Sequence, residues 1–206
     1  MGLRAGRVDE ADRRELVRVS LYLRSRRAGS ALAVMCVLGV GNILVGGRAL
    51  NVLSSGDPVS MPYRYVLVML SAVTAVASTA SPMIRSDRAD TGPLHAMRWA
   101  HLVVSLGVLL ALAMVAESFA DGGSPLAAAR AAFFWFGAAL ISMGVARASL
   151  AWVLPIALLV PLIRWGYPGG EPAAWNWAQA SAAEPVAWGI AAACFALGLA
   201  MTAVRE

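Results

Sequence analysis

Lysine is absent from this chain, and charge of either sign is scarce. All 17 basic residues are arginines, and charged residues make up 14% of the 206 residues, whereas a soluble protein carries about 25%. Hydrophobic residues reach 59%, against about 45–50% in soluble proteins. This balance is typical of a protein with a lipid-facing surface. Eight of the arginines lie in the first 27 residues, where they can face anionic lipid headgroups, so the net positive charge does not indicate a nucleic-acid partner.

Reactive and metal-binding residues are equally few. Cys36 and Cys194 lie far apart in apolar stretches, which predicts two buried hydrophobic side chains rather than a disulfide or a metal site. His95 and His101 are six residues apart, a spacing that does not place them on one helical face. The chain also lacks a GxxxxGK[ST] phosphate-binding loop and a GxSxG motif. We therefore predict no catalytic residue, no cofactor and no metal, and we expect that the protein is not an enzyme.

Long apolar stretches fill the rest of the chain. A helical span needs about 20 predominantly apolar residues. Five stretches are close to this length: 28–47, 63–81, 99–119, one from Pro125 to a turn at Arg147, and 185–204. A sixth, at 148–163, is shorter and carries Pro155 and Pro161, so it either crosses with a kink or small tilt or enters the membrane only part way. The sequence therefore predicts an all-α integral membrane protein, with six transmembrane helices over residues 28–206 and a tight hairpin between the fourth and fifth.

The distribution of arginine predicts the orientation. If the N-terminus lies inside, thirteen arginines fall on the inner side and four on the outer side. Cytoplasmic segments carry such an excess, so both termini should be cytoplasmic. The use of arginine alone indicates a high-GC bacterial coding bias. The expected location is the plasma membrane of a bacterium, with several crossings.

Residues 1–27 form a predicted cytoplasmic, amphipathic N-terminal segment. An apolar face over Asp9–Arg27 is flanked by arginines, a pattern that favours a helix lying on the inner membrane surface. The alternative is an ordinary basic flank that only sets the topology. The apolar face comprises Leu16, Val19 and Leu23, and the flanking arginines are Arg13, Arg14, Arg18 and Arg24.

Two predicted loops are long enough to carry a function. The inner loop 82–98 is polar, with charges of both signs, and either offers a docking surface for a cytoplasmic partner or serves as a solvated connector. The outer loop 164–184 contains a turn signal at 168–170. We predict a short interfacial helix at 173–182, with Trp175 and Trp177 in the headgroup layer.

Few polar residues lie inside the predicted spans. Arg130 is about five residues into the fourth helix, where its long side chain can reach outward to the interface. A role in binding an anionic substrate is the alternative, and Arg130 and Asn42 are therefore the candidate residues of a substrate pathway. Glu117 lies near the outer end of the third span, and we expect it to be solvated.

The order of these features resembles that of a known family. Two patches carry the resemblance: Tyr22-Leu23-Arg24-Ser25-Arg26-Arg27 before the first span, and Gly92-Pro93-Leu94 followed by Arg98-Trp99-Ala100-His101-Leu102. With the basic segment, the inner loop and the aromatic outer loop, they are similar to the membrane subunits of the type-two ABC exporter superfamily. More narrowly, the chain resembles the small arginine-rich permease-like proteins of high-GC Gram-positive bacteria.

This resemblance implies a function and partners. The chain would be the permease subunit of an ABC-type exporter, and a second permease copy or a related permease would complete the translocation unit. The loop 82–98 would couple it to a separate cytoplasmic ATPase through a short helix at about 86–94. The coupling residues implied are Arg85, Ser86, Asp87, Arg88, Asp90 and Leu94. Two other functions stay open: a substrate-binding membrane subunit of a vitamin-type uptake system, and a structural or regulatory membrane subunit that transports nothing.

Overall fold

A computed structural model describes residues 17, 19–45, 48–53, 58–80, 93–120, 123–146, 148–166, 176–177 and 180–204. The fold is predominantly helical, which confirms the predicted class, and it adds one two-stranded hairpin. The helices are α1 (Ala28–Val45), α2 (Tyr63–Ser78), α3 (Pro93–Ser118), α4 (Pro125–Val145), α5 (Val153–Trp165) and α6 (Pro185–Val204). The strands are β1 (Ala49–Leu53) and β2 (Pro58–Pro62).

Four of the helices, α1, α3, α4 and α6, are long and apolar enough to cross a bilayer. The other two apolar helices are shorter, with 16 residues in α2 and 13 in α5. Large apolar side chains lie exposed along the outside of the bundle, for example Val37 on α1, Val103 on α3 and Leu197 on α6. A soluble protein seldom exposes so much contiguous apolar surface. These features indicate a membrane-embedded protein.

Helix α4 lies at the centre of the bundle. It contacts α2, α3, α5 and α6, whereas α1 packs on α2 and α3. Fifteen of the 21 residues of α4 are buried. A helix that is apolar on every side suits such a position, because no face of it needs water. The core therefore surrounds α4, and α1 and α6 lie at the periphery.

Proline and serine define where several helices begin. Pro93, Pro125 and Pro185 stand at the first positions of α3, α4 and α6, where the missing N–H costs nothing. Ser124 caps α4, since its hydroxyl accepts a hydrogen bond from the backbone N–H of Ala127 at 3.3 Å. Because α3 begins at Pro93, the predicted start at Trp99 is wrong, and residues 93–98 of the expected loop are helical.

The connection between α4 and α5 is tight, as the sequence predicts, although α5 begins later than expected. A 3-10 turn at Ala148–Leu150 precedes α5, which starts at Val153 rather than at position 148. The Ser142 hydroxyl donates to the carbonyl of Leu150 at 2.5 Å and accepts from the N–H of Leu154 at 3.2 Å. One buried side chain of α4 thus holds both the turn and the start of α5. Arg147, the predicted turn residue, lies outside the described residues.

The hairpin between α1 and α2 was not predicted. β1 and β2 are antiparallel, with Ala49 opposite Pro62 and Leu53 opposite Pro58. The N–H of Tyr63 donates to the carbonyl of Arg48 at 3.0 Å, next to the end of the ladder. The hairpin joins the ends of α1 and α2, which pack on each other. Apolar and polar residues barely alternate in these short strands, so the sequence pattern gives little sign of them.

The N-terminal segment is helical over the described residues 19–25, in agreement with the expected helix, and residues 1–16 and 18 lie outside the description. Arg27 has a left-handed backbone conformation, with φ 52°. This conformation separates the segment from α1. The expected apolar face is not turned inward, because Val19 and Leu23 are exposed while Tyr22 and Arg26 are buried.

Candidate functional site

Arg130 is the most deeply buried charged residue in the described part of the chain, with 1% of its surface exposed. Its two terminal guanidinium nitrogens donate to the backbone carbonyls of Ala180 and Ser181, each at 2.7 Å. Both partners belong to the predicted outer loop 164–184, and whether the side chain reaches the membrane interface stays a prediction. Arg130 ties the segment that precedes α6 to α4. Hydrogen bonds from a charged donor are shorter and stronger than those between neutral groups.

The same segment is held by aromatic packing. The ring of Trp177 lies 3.9 Å from that of Phe134 and 5.6 Å from that of Trp135, centroid to centroid. The side-chain amide of Asn176 donates to the carbonyl of Gly166 at 3.0 Å. Trp177 is thus buried against the bundle, and its placement in the headgroup layer stays a prediction. The described residues of the expected interfacial helix, 176–177 and 180–182, form turns instead of a helix.

Glu117 is also buried, which corrects the expectation of a solvated side chain. It is 7% exposed, and one carboxylate oxygen lies 3.0 Å from a guanidinium nitrogen of Arg64. The same oxygen accepts from the backbone N–H of Ser124 at 3.1 Å. Glu117 therefore connects the end of α3 to the start of α2 and to the start of α4. A paired carboxylate keeps its charge at far lower cost than an isolated one.

A second polar cluster lies at the opposite end of the bundle. The Arg26 guanidinium donates to the carbonyl of Thr79 at the end of α2, and it lies 5.1 Å from the centroid of the Tyr22 ring. Tyr22 packs edge-on against His101 of α3, at 5.9 Å between ring centroids. His101 also lies 3.2 Å from the hydroxyl of Ser78. The structure thus brings together the two sequence patches that carry the family resemblance.

Asn42 lines a small cavity between α1, α2 and α3. The side chain is 7% exposed, and among the described residues it has no hydrogen-bond partner. The only other side chain in the lining that carries a polar atom is Ser71, whose hydroxyl donates to the carbonyl of Leu67 at 2.9 Å. The other lining residues are Leu38, Gly39, Leu67, Val68, Leu109, Leu112 and Ala113. The structure does not bring Asn42 and Arg130 together in this cavity, since Arg130 is not part of its lining.

The predicted coupling residues fall almost wholly outside the description. Arg85, Ser86, Asp87, Arg88 and Asp90 lie in the segment 81–92, which the structure does not describe. Leu94 belongs to α3, but its side chain is outside the described part. The structure does describe the elements on either side of this segment, which are the end of α2 and the start of α3. It also describes the N-terminal segment that packs against both.

Sequence reasoning missed most of the polar contacts. Arg26 and Tyr22 are spaced by four residues, which is the one available sign that their side chains meet on one helical face. Nothing in the sequence marks Glu117 as the partner of Arg64, 53 positions away. Within the described residues, no group of three or more His, Cys, Asp or Glu side chains is arranged to hold a metal ion.

The fold and these sites define a class: a membrane-embedded helical bundle whose buried polar side chains connect one helix to the next. Comparisons with protein-family models, with curated proteins and with solved structures found no match to this chain.

Proposed function

We propose that the chain is the membrane-spanning permease subunit of an ABC-type exporter, coupled through the inner segment 82–98 to a separate ATPase. In this proposal all six apolar helices cross the plasma membrane of a bacterium, and both termini are cytoplasmic. A second permease copy or a related permease completes the translocation unit. The ATPase hydrolyses ATP, and this chain itself forms or breaks no covalent bond.

The contacts at the inner end of the bundle are the observation that supports this proposal. Arg26 binds the carbonyl of Thr79, and Tyr22 packs on His101. These residues come from the N-terminal segment, α2 and α3, and the last two flank the proposed coupling segment. A force on that segment would reach three elements together, because the contacts join them. Coupling of this kind needs rigid, contiguous packing between the two sites.

A second candidate, a structural or regulatory membrane subunit, is favoured by the packing of α4. Its buried arginine binds backbone carbonyls, and its Gly137 lies against the backbone of α6. Such a centre is suited to a rigid unit that assembles with larger partners. This packing is less suited to a transporter in which α4 must move aside for a substrate.

The two candidates are separated by purifying the chain with its native partners in lipid particles and identifying the proteins present. The exporter proposal expects an ATPase in the complex, with ATP hydrolysis that depends on the membrane subunit. Reversing two charges of the coupling segment, Asp87→Arg and Asp90→Arg, should reduce recovery of the ATPase at least fivefold. Electrostatic complementarity sets partner choice at such surfaces.

The matched control is Asp57→Arg, which reverses one carboxylate in the connection between β1 and β2, on the proposed outer side. It should leave recovery of the ATPase unchanged. A complex that contains no ATPase under conditions that preserve membrane assemblies would refute the exporter proposal and leave the structural subunit. Equal loss from both substitutions would show that the segment 82–98 has no special part in the interaction.

A further inference from the structure

Asn42 is a largely buried side chain that makes no hydrogen bond within the described part of the chain. Its side chain is 7% exposed and lines the cavity between α1, α2 and α3. An amide carries two donors and an acceptor, yet in the described part of the chain none of these is used. In an apolar medium an unpaired amide costs more than it does in water. A ligand group that binds there would therefore give the Asn42 amide the hydrogen bonds that the protein itself does not supply.

The lining of the cavity restricts what can bind. Apart from Asn42 and Ser71, every lining side chain is apolar or is a glycine, and no charged residue takes part. The Ser71 hydroxyl uses its hydrogen on the carbonyl of Leu67, so its oxygen remains an acceptor. The site therefore suits an uncharged group that accepts a hydrogen bond from the Asn42 amide. A group that can also donate a hydrogen bond would use the remaining acceptors of the site.

The size of the cavity limits how much of a ligand can enter. The cavity is about large enough for one water molecule. Three leucines of the lining, Leu38, Leu67 and Leu112, are only partly buried, so the rim reaches the apolar outside of the bundle. One small polar group can enter, while the rest of the molecule lies along the helices.

The depth of Asn42 favours a lipid as the occupant. Asn42 stands three residues before the end of α1 at Val45, which corresponds to about 5 Å along the helix axis. Leu109 lies nine residues before the end of α3 at Ser118, about 13 Å from it. The amide thus lies near the polar edge of the hydrocarbon layer, and the apolar lining continues toward the middle. Ester carbonyls and glycerol hydroxyls of lipids occupy that edge.

We propose that this cavity is a binding site for an uncharged glycerolipid of the diacylglycerol class, with its free hydroxyl on the Asn42 amide and an acyl chain against Leu38, Leu67 and Leu112. The site goes beyond the proposed exporter function and depends on no ATPase. The lipid binds without a covalent step.

The experiment uses the full chain in phosphatidylcholine vesicles that contain a diacylglycerol with a photoreactive diazirine in one acyl chain. After illumination, mass spectrometry locates the adducts. The proposal expects adducts on peptides that contain Leu38, Leu67 or Leu112, and unlabelled diacylglycerol should compete with them. Asn42→Leu should lower this labelling roughly 2- to 10-fold, as expected for one lost hydrogen bond.

Two controls keep the outcome decisive. Gly41→Leu changes the neighbouring position on α1, where an added Cβ meets no atom within 4 Å, and it should leave the labelling unchanged. A diazirine hydrocarbon without a polar group should label the same peptides weakly and equally in the native chain and in Asn42→Leu. Each variant is first checked by its Tm and by its elution as a single species.

Equal labelling of the native chain and of a folded Asn42→Leu variant by the diacylglycerol probe would overturn the proposal. Equal labelling by the hydrocarbon and the diacylglycerol would do the same, since it would mean that only an acyl chain is recognised. Because no ATPase or ATP is present, either result leaves the exporter proposal untouched. Conversely, loss of the ATPase interaction would not affect this site.

Discussion

Several buried polar side chains in the described part of the protein bind backbone carbonyls of another segment. Arg26 donates to Thr79, Arg130 donates to Ala180 and Ser181, and Ser142 donates to Leu150. These carbonyls lie at a helix end or in turns, and that of Ser181 also accepts from the N–H of Glu184 at 3.0 Å. These side chains thus hold the connections between helices against the bundle.

Replacing Arg130 with alanine should lower the free energy of unfolding by about 2–4 kcal/mol, because two carbonyls lose charged donors and a large buried side chain is removed. The measurement is unfolding of the purified protein in mixed micelles, followed by tryptophan fluorescence. Trp177, on the segment that Arg130 holds, should report the change. Arg48→Ala is the matched control, since Arg48 is exposed, and it should have little effect.

Arg130→Ala also bears on the predicted substrate pathway. Transport and assembly should be measured separately, because loss of assembly would remove transport for a structural reason. Unchanged transport by an intact assembly would rule out Arg130 as a substrate-binding residue. Equal destabilisation by Arg130→Ala and Arg48→Ala would contradict its role in holding the segment before α6.

At the level of elements, the contact between α4 and α6 is the closest in the bundle. An added Cβ at Gly137 would lie 2.6 Å from backbone atoms of Phe195, and one at Gly198 would lie 2.7 Å from the carbonyl oxygen of Gly137. Gly144 faces Met201 in the same interface. Small residues let helix backbones approach, and in a bilayer this packing supplies much of the association energy.

Gly137→Ala should force α4 and α6 apart, since the nearest atoms belong to the backbone and cannot turn away. We expect a loss of about 2–3 kcal/mol in unfolding free energy, in the range of other overpacked cores. Gly189→Ala is the control on α6, where an added Cβ has no neighbour within 4 Å. Denaturation of both variants in the same micelles tests this, and equal stability of the two would show that the interface is looser than described.

The helices were largely predictable from sequence, whereas the contacts between them were not. Apolar runs bounded by proline place α4 at Pro125 and α6 at Pro185–Val204, because a missing N–H is tolerated only in the first turn. The early start of α3 was missed because residues 93–98 are polar enough to resemble a loop. The partners of Arg130 and Glu117 are carbonyls, backbone N–H groups or residues far along the chain, and these leave no local pattern. Asn42 was picked out correctly as a polar residue inside the bundle, but its cavity depends on how three helices meet.

At the scale of the whole molecule, the buried and exposed surfaces are arranged around one helix. α4 is enclosed by α2, α3, α5 and α6, while α1 and α6 expose apolar side chains such as Val37 and Leu197. Polar contacts of charged side chains lie at both ends of the bundle: Arg64 pairs with Glu117, and Arg26 binds a backbone carbonyl at the end of α2. This arrangement is consistent with helices that cross a bilayer side by side, with their polar contacts near its two surfaces.

The proposed topology predicts opposite accessibility of two serines. In a variant whose native cysteines are replaced by alanine, Ser55→Cys, between β1 and β2, should react with a membrane-impermeant maleimide in intact cells. Ser86→Cys, in the inner segment, should react only after permeabilisation, because the charged reagent cannot cross the hydrocarbon layer. The reverse pattern would show that the chain has the opposite orientation in the membrane. Equal reaction of both cysteine variants in intact cells would contradict six crossings.

The central position of α4 has a consequence for biosynthesis. Among the four longest apolar helices α4 is the least hydrophobic, and it carries an arginine whose carbonyl partners lie 50 and 51 residues further along the chain. At translation rates of about 5–20 residues per second, those partners emerge roughly 3–10 s after Arg130 does. During that interval the Arg130 side chain lacks its carbonyl partners, and α6 is not yet present to pack against the glycines of α4. We therefore expect stable insertion of α4 to require the last helix, and truncation before α6 should send the nascent protein to degradation.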